Sequence, residues 1–254
     1  MSKVVFISGA TSGIGEACAV RFAKEGYFLL LSGRREKRLI SLAERLEKEY
    51  GSKTKLLCFD IRNEDDVIQA IDSLRNTKWE NIDILINNAG LSLDLSPINE
   101  GLTEDWDTMI DTNVKGLLYL SKKIMPLMVK NKCGHIINIG SIAGREVYPK
   151  GNVYCASKHA VAAITEAMRI DLLPHGIKVS QVSPGATETE FSLVRFKGDK
   201  EKANNVYEGF KPLTGDNIAE IVLFTATLPA HVNINDVLVM PVSQANATSV
   251  HKIK

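Results

Sequence analysis

Short aliphatic and β-branched runs alternate with longer amphipathic stretches from the first residues to about residue 185, the rhythm of successive βαβ units around a parallel sheet. Residues 4–7, 28–31, 55–58, 82–86, 135–139 and 178–182 are apolar with little alternation, which predicts strands covered by helices on both faces. Helical periodicity predicts helices at 15–24, 36–50, 64–74, within 103–130 and at 152–173, the last broken by Pro174. Thr103 is expected to cap its helix, with Glu104 and Asp105 in the first turn where the dipole favours negative charge. Residues 186–215 are polar and irregular, punctuated by Gly198, Gly209, Pro212 and Gly215, and are expected to form a mobile lid on the substrate side. A helix over 216–228 and a strand over 237–240 follow. The fold class is therefore α/β, a doubly wound parallel sheet flanked by helices on both faces, in one domain spanning 1–254.

Composition leaves this picture intact and removes several function classes. The chain has 254 residues, 44% hydrophobic and 24% charged, enough to bury a substantial core. Thirty-one Lys and Arg against 30 Asp and Glu give a formal charge of +1, so no basic field calls for a nucleic-acid partner. Cys18, Cys58, Cys133 and Cys155 are too scattered for a disulfide scaffold and are expected to be small buried side chains in a reducing compartment. The N-terminus lacks a signal-peptide core and no apolar run approaches a membrane span, so a cytoplasmic protein without a membrane partner is expected. His135, His159, His175, His231 and His251 show no metal-ligand spacing, and no metal site is expected.

The first strand runs into Ser8-Gly9-Ala10-Thr11-Ser12-Gly13-Ile14-Gly15, and an amphipathic helix follows at once. Glycines there let the backbone turn sharply and approach a pyrophosphate, which the first helical amides attract. The spacing is G-x-x-x-G-x-G rather than G-x-G-x-x-G, and a tight β-to-α turn with no ligand is the plain alternative. The second strand ends Ser32-Gly33-Arg34-Arg35, with no carboxylate before Glu36. Two guanidiniums at a helix N-terminus, unfavourable without an anion to pair with, suit the 2′-phosphate of NADP better than the ribose of NAD.

Tyr154 and Lys158 stand four residues apart on one helix face. A free tyrosine is a poor acid–base at neutral pH, and a nearby ammonium would lower its pKa into a useful range. By spacing alone the pair is equally an ordinary exposed couple. Ser141 closes the fifth strand at a carboxyl end of the sheet, where ligands of such folds bind, and could equally be a cap at the strand end.

The glycine turn, Asp60 after the third strand, Asn87-Asn88-Ala89-Gly90 after the fourth, Asn113 in the next helix, Ser141, Tyr154-Cys155-Ala156-Ser157-Lys158 and Ser183-Pro184-Gly185 together resemble the short-chain dehydrogenase/reductase family, in its order and along essentially the whole chain. Ser8 stands where the family usually has threonine, a hydroxyl for a hydroxyl. The resemblance implies a Rossmann-type fold and hydride transfer between a hydroxyl-bearing carbon and a nicotinamide, without a metal. It implies that Tyr154 is the general acid–base, that Ser141 orients the reacting oxygen, that Lys158 lowers the tyrosine pKa and holds the nicotinamide ribose, and that Asn113 positions a relay water. It further implies cofactor contacts from Gly9, Thr11, Ser12, Gly13, Ile14 and Gly15 in the turn, from Arg34 and Arg35, from Asp60, Ile61, Asn87, Ala89 and Gly90, from Tyr154 and Lys158, and from Pro184, Gly185, Thr187 and Thr189.

Within that family, residues 79–85, 104–113, 189–199 and 240–244 are similar to the NADP-dependent 3-hydroxy acid dehydrogenases. That implies a homotetramer acting on short 3-hydroxy acids such as serine, L-allo-threonine and 3-hydroxypropionate, or on the matching 3-oxo acids. A substrate carboxylate calls for an arginine near Tyr154, and Arg145 and Arg195 are both candidates. A general carbonyl reductase, a 3-oxoacyl-thioester reductase and a silent NADPH-binding regulator on the same fold are the competing readings.

Overall fold

The computed structural model describes residues 3–253. The strands are β1 (Val4–Ile7), β2 (Phe28–Gly33), β3 (Thr54–Cys58), β4 (Ile84–Asn87), β5 (His135–Ile139), β6 (Lys178–Pro184) and β9 (Asp236–Val239), with a separate short pair β7 (Thr187–Glu188) and β8 (Leu213–Thr214). The main sheet runs β3-β2-β1-β4-β5-β6-β9 with every pairing parallel. Chain order reverses between β1 and β4, which opens a crevice at their carboxyl ends.

One face is covered by α1 (Gly13–Lys24), α2 (Glu36–Tyr50) and α9 (Gly215–Thr227), the other by α3 (Glu64–Asp72), α5 (Leu117–Asn131) and α6 (Asn152–Leu172). Successive strand residues feed opposite cores: Phe6, Leu85 and Ile136 pack with Leu120, Ile124 and Met168, while Ile7, Ile86 and Ile137 pack with Ala19, Phe22 and Val222. Burial on both faces is why these strands read as unbroken apolar runs. Helix starts follow local chemistry: Asn63 accepts from the amides of Asp65 and Asp66, and Thr214 and Asn217 cap α9 reciprocally.

A row of polar side chains crosses the sheet from the end of β4 to the start of β9. Asn87, Asn138, Gln181 and Asp236 are register partners on β4, β5, β6 and β9. Asn87 Nδ2 donates to Asn138 Oδ1 at 2.8 Å, Asn138 Nδ2 to Thr165 Oγ1 at 2.9 Å, and Thr165 Oγ1 to Gln181 Oε1 at 3.2 Å. Gln181 Nε2 reaches Ser183 Oγ at 2.9 Å, and Ser183 Oγ donates to Asp236 Oδ1 at 3.0 Å.

Several expectations need correction. Thr103 does not cap: α4 (Thr103–Ile110) begins with it, the cap position is Leu102, and no side chain bonds there. The expected single region 103–130 is α4, a π-helical turn (Asp111–Gly116) and α5. Residues 186–215 are not irregular but hold β7, β8, α7 (Glu190–Arg195) and α8 (Lys200–Asn205). This segment is pinned to the body by Lys197 Nζ to Asp105 Oδ2 at 2.7 Å and by the Asp94 amide to the Arg195 carbonyl at 2.9 Å. Of the cysteines, Cys18 and Cys155 are buried, whereas Cys58, the last residue of the edge strand β3, and Cys133, in the turn before β5, are exposed; all four are free thiols. No helix among the described residues is long and apolar enough to cross a membrane, and no His, Cys, Asp and Glu cluster there could hold a metal ion.

Candidate active site

The carboxyl ends of β1, β4, β5 and β6 surround a cavity of about 500 Å³ that runs from the glycine turn to Tyr154. Its floor is held by Ser8, whose Oγ accepts from the amides of Asn88 and Ala89, each at 3.0 Å. Asn88 Nδ2 returns bonds to the carbonyls of Ser8 at 3.0 Å and Gly9 at 3.1 Å. The switch point is thereby laced shut below the cavity. Gly9 has φ +66°, and a Cβ on Gly15 would collide with Asn88 Nδ2 and the Gly9 carbonyl, so both positions require glycine.

At one end of the cavity stand Arg34 and Arg35. Arg34 is 56% exposed and has only a loose 3.7 Å contact with Asp60, which Arg62 holds more tightly at 2.6 Å. Those two guanidiniums and the bonds from Arg62 hold the Asp60 carboxyl below its ordinary pKa despite its partial burial. Arg35 folds back on the glycine turn, its NH2 donating to Thr11 Oγ1 and Ser12 Oγ at 2.8 Å each. The anion paired with this cationic helix start is Glu190, 2.6 Å from Arg35 NH1.

At the other end Tyr154 and Lys158 are both buried, at 8% and 7% exposure. Lys158 Nζ donates to the Ile139 carbonyl at 2.8 Å, and burial pulls its pKa down to about 8. Burial pushes the Tyr154 phenol up; the Arg195 guanidinium and the hydrogen bond with Ser141 act the other way. Ser141 is the cap foreseen at the strand end, its Oγ accepting from the Ala143 amide at 3.1 Å. The guanidinium carbon of Arg195 lies 5.3 Å from the Tyr154 ring centroid and 4.9 Å from that of Phe191. Its NH2 donates to Tyr148 Oη at 3.1 Å, while its Nε is buried without a partner.

Asn113 sits in the π-helical turn, a local widening that recurs at functional sites. Its amide bonds the Leu91 backbone twice, at 2.8 Å each, and donates to Ser157 Oγ at 3.0 Å, which in turn donates to the Tyr154 carbonyl at 2.8 Å.

A glycine turn at the switch point, a buried Tyr-Lys pair beside a serine, and an asparagine tied to the same helix are the arrangement of one family, and the short chain dehydrogenase model matches residues 3–199. The chain belongs to that family. This short-chain dehydrogenase is 46% identical over 251 residues to the NADP-dependent 3-hydroxy acid dehydrogenase of Salmonella typhi, covering 98% of this chain and 99% of that one. It is 45% identical over 246 residues to sulfoacetaldehyde reductase 2 of Chromohalobacter salexigens, covering 96% of each. A solved closed form of serine dehydrogenase complexed with NADP+ superposes with a TM-score of 0.91 at 43% identity, over 98% of this chain and 99% of that one.

In this short-chain dehydrogenase the cavity is lined by Gly9, Thr11, Ser12, Gly13, Ile14, Arg34, Arg35, Asp60, Ile61, Ala89, Gly90, Ser141, Tyr154, Lys158, Pro184, Gly185, Thr187, Thr189 and Arg195. Gly15 and Asn113 lie just behind the wall and shape it. Asn87 does not reach the cavity: it belongs to the polar row, and its neighbour Asn88 lines the site instead. Arg145 is turned away, paired with Asp236 at 2.7 Å, so of the two candidate arginines only Arg195 faces Tyr154. Sequence reasoning missed Tyr148, Glu190, Phe191, Tyr207 and the tail residues Gln244 and Lys252 as lining groups. Glu190 and Phe191 carried a signal inside the 189–199 segment, and Gln244 inside 240–244; the others carried none.

The residues fit a phosphorylated dinucleotide. Gly9 and Gly13 take left-handed backbone at the turn, the α1 amides follow, and Arg34 holds donors that no side chain uses apart from the loose Asp60 contact.

Proposed function

We propose that the protein is an NADP-dependent dehydrogenase of short 3-hydroxy acids, reducing the matching 3-oxo acids in reverse. The observation that carries the substrate class is the buried, unpartnered Nε of Arg195 beside Tyr154. A buried N–H without an acceptor is costly, and a substrate carboxylate one carbon from the reacting centre supplies that acceptor. The relatives with named substrates act on a serine, a 3-hydroxy acid or a sulfoacetaldehyde, each with an anionic group near the reacting carbon.

NADP, when bound, supplies the acceptor or donor of hydride. Arg34 and Arg35 would hold its 2′-phosphate, the glycine turn its pyrophosphate, and Asp60, Ile61, Ala89, Gly90, Pro184, Gly185, Thr187 and Thr189 the remaining contacts. Tyr154 Oη holds the reacting oxygen and exchanges a proton with it. Ser141 orients the same oxygen by hydrogen bonding, and Arg195 both clamps the carboxylate and favours the phenolate. Lys158 keeps a cation behind Tyr154 and offers it to the ribose. Asn113 fixes the Leu91 backbone against the catalytic helix and stands where a proton relay would pass. Residues 186–215, already seated by Lys197 and Asp94, close the substrate side and exclude water.

Exposed Phe224, Leu238 and Val242 on α9, β9 and the tail are apolar groups that a second copy would cover, which supports a homotetramer; light scattering tests it. For the substrate class, Arg195→Ala is assayed on L-serine, L-allo-threonine, 3-hydroxypropionate, 2-hydroxyethanesulfonate and a neutral secondary alcohol. A KM raised tenfold or more for the acids, with the alcohol spared, supports the clamp, since a charged hydrogen bond is worth about 1.5–3 kcal/mol. Unchanged selectivity overturns it, and preference for the sulfonate moves the assignment to sulfoacetaldehyde chemistry.

A further inference from the structure

Arg35 is nearly saturated by its own chain. A guanidinium offers five N–H donors. Nε donates to Thr11 Oγ1 at 3.0 Å, NH2 to Thr11 Oγ1 and Ser12 Oγ at 2.8 Å each, and NH1 to Glu190 Oε2 at 2.6 Å. Arg38 NH1 reaches both oxygens of the same carboxylate, at 3.0 and 3.1 Å. Glu190 is therefore an internal anion held between two guanidiniums. It lines the same cavity as Arg34 and Arg35 and lies 155 residues from Arg35 in sequence.

The position of Glu190 gives this contact reach. It is the first residue of α7, and Arg195 is the last. At 1.5 Å per residue, that helix sets the backbone of a cofactor-side glutamate and that of a substrate-side arginine about 7.5 Å apart along one short rod. A 2′-phosphate arriving at Arg34 meets a neighbouring guanidinium already occupied by a carboxylate of the same sign as itself.

We propose that Glu190 is a specificity-determining residue: its carboxylate holds Arg35 against the glycine turn and yields that guanidinium to the 2′-phosphate, so that recognition of the phosphate is transmitted through α7 to Arg195. This rests on the NADP reading above. Like charges compete for one donor set, so Glu190 sets back the affinity for phosphorylated cofactor while making its binding felt at the substrate end. Arg34, whose one carboxylate neighbour, Asp60, is loose at 3.7 Å, supplies the first contact.

The test uses the full chain with two probes that lack a nicotinamide, 2′,5′-ADP and 5′-AMP, which differ only in the 2′-phosphate. Calorimetry measures their affinities for the wild type and for Glu190→Gln, and hydrogen exchange follows the amides of residues 189–198. In Glu190→Gln the dissociation constant of 2′,5′-ADP is expected to fall about two- to fivefold, the range for losing a partly exposed ionic competitor, with that of 5′-AMP unchanged. In the wild type 2′,5′-ADP should speed exchange across α7 and 5′-AMP should not; in Glu190→Gln the fast exchange should be present without ligand. Equal or weaker binding of 2′,5′-ADP by the variant, or wild-type α7 amides that ignore it, overturns the proposal. The wild-type exchange experiment needs no variant to fold. If the wild type binds 2′,5′-ADP no tighter than 5′-AMP, the NADP reading itself fails, a result distinct from a bound phosphate that leaves α7 unmoved.

Discussion

Arg195 places its guanidinium carbon 5.3 Å from the Tyr154 ring centroid, where its charge opposes the burial that pushes the proton affinity of the phenol up. Lys158 is turned to the Ile139 carbonyl. Removing the Arg195 cation should destabilise the phenolate. In Arg195→Met the acid limb of the pH profile for alcohol oxidation, where activity rises as the phenol loses its proton, is expected to move to higher pH, as read from kcat/KM on a neutral alcohol that needs no clamp. A limb that stays in place would show that Arg195 acts on substrate alone.

Arg34 is the guanidinium with uncommitted donors. Arg34→Ala is expected to weaken NADPH about 10- to 100-fold, the worth of a charged hydrogen bond, and to leave NADH within about twofold. Fluorescence titration of the two cofactors checks this; equal loss of both would contradict a 2′-phosphate role.

Lys158 is a buried ammonium with one hydrogen bond. Its pKa falls from 10.5 to about 8 in the folded chain, so the unfolded chain binds the extra proton between those values and stability climbs with pH across that window. Lys158→Met should abolish turnover yet raise thermal stability at pH 7 by a few kcal/mol at most, and remove the climb above pH 8. Calorimetric melts at pH 7 and 10 measure it, and a lower Tm at pH 7 would mean that the bond to Ile139 outweighs desolvation.

His135 is buried on β5, with Nε2 2.8 Å from Ser180 Oγ and Nδ1 unpartnered. Burial, aided by Lys178, pulls its pKa from 6.5 to about 3. The unfolded chain therefore takes up a proton that the folded chain refuses between those pH values. Stability from this group is complete above about pH 6.5 and is lost as pH falls towards 3. Denaturant melts of His135→Gln between pH 4 and 7 should show a shallower acid slope than the wild type; parallel slopes would assign acid sensitivity elsewhere.

The architecture was legible because each strand is buried on both faces and each connecting helix on one, which are the conditions under which periodicity reports structure. The ends of β1, α2 and β5 coincide with the residues expected from pattern alone. The catalytic side chains were legible as types and spacings. What pattern could not convey was direction and long-range pairing. Asn87 and Asn88 are neighbours in sequence, but Asn87 closes β4 and joins the polar row, whereas Asn88 lies just past the strand and turns to the cavity. Arg145 and Arg195 were equivalent until Asp236 claimed the first. The π-helical turn at Asn113 leaves helical periodicity almost unchanged, and α7 is too short, at six residues, to leave a periodic trace.

The row Asn87, Asn138, Gln181 and Asp236 also acts as a key for strand alignment. Apolar strands tolerate sliding, because one isoleucine fits another's place, but an amide displaced by one residue would be thrust into the opposite apolar layer without a partner. The row therefore penalises every misaligned version of the sheet more than it strengthens the correct one. Its members should change together across related chains, since an isolated replacement leaves the next amide stranded while a paired one keeps the lock.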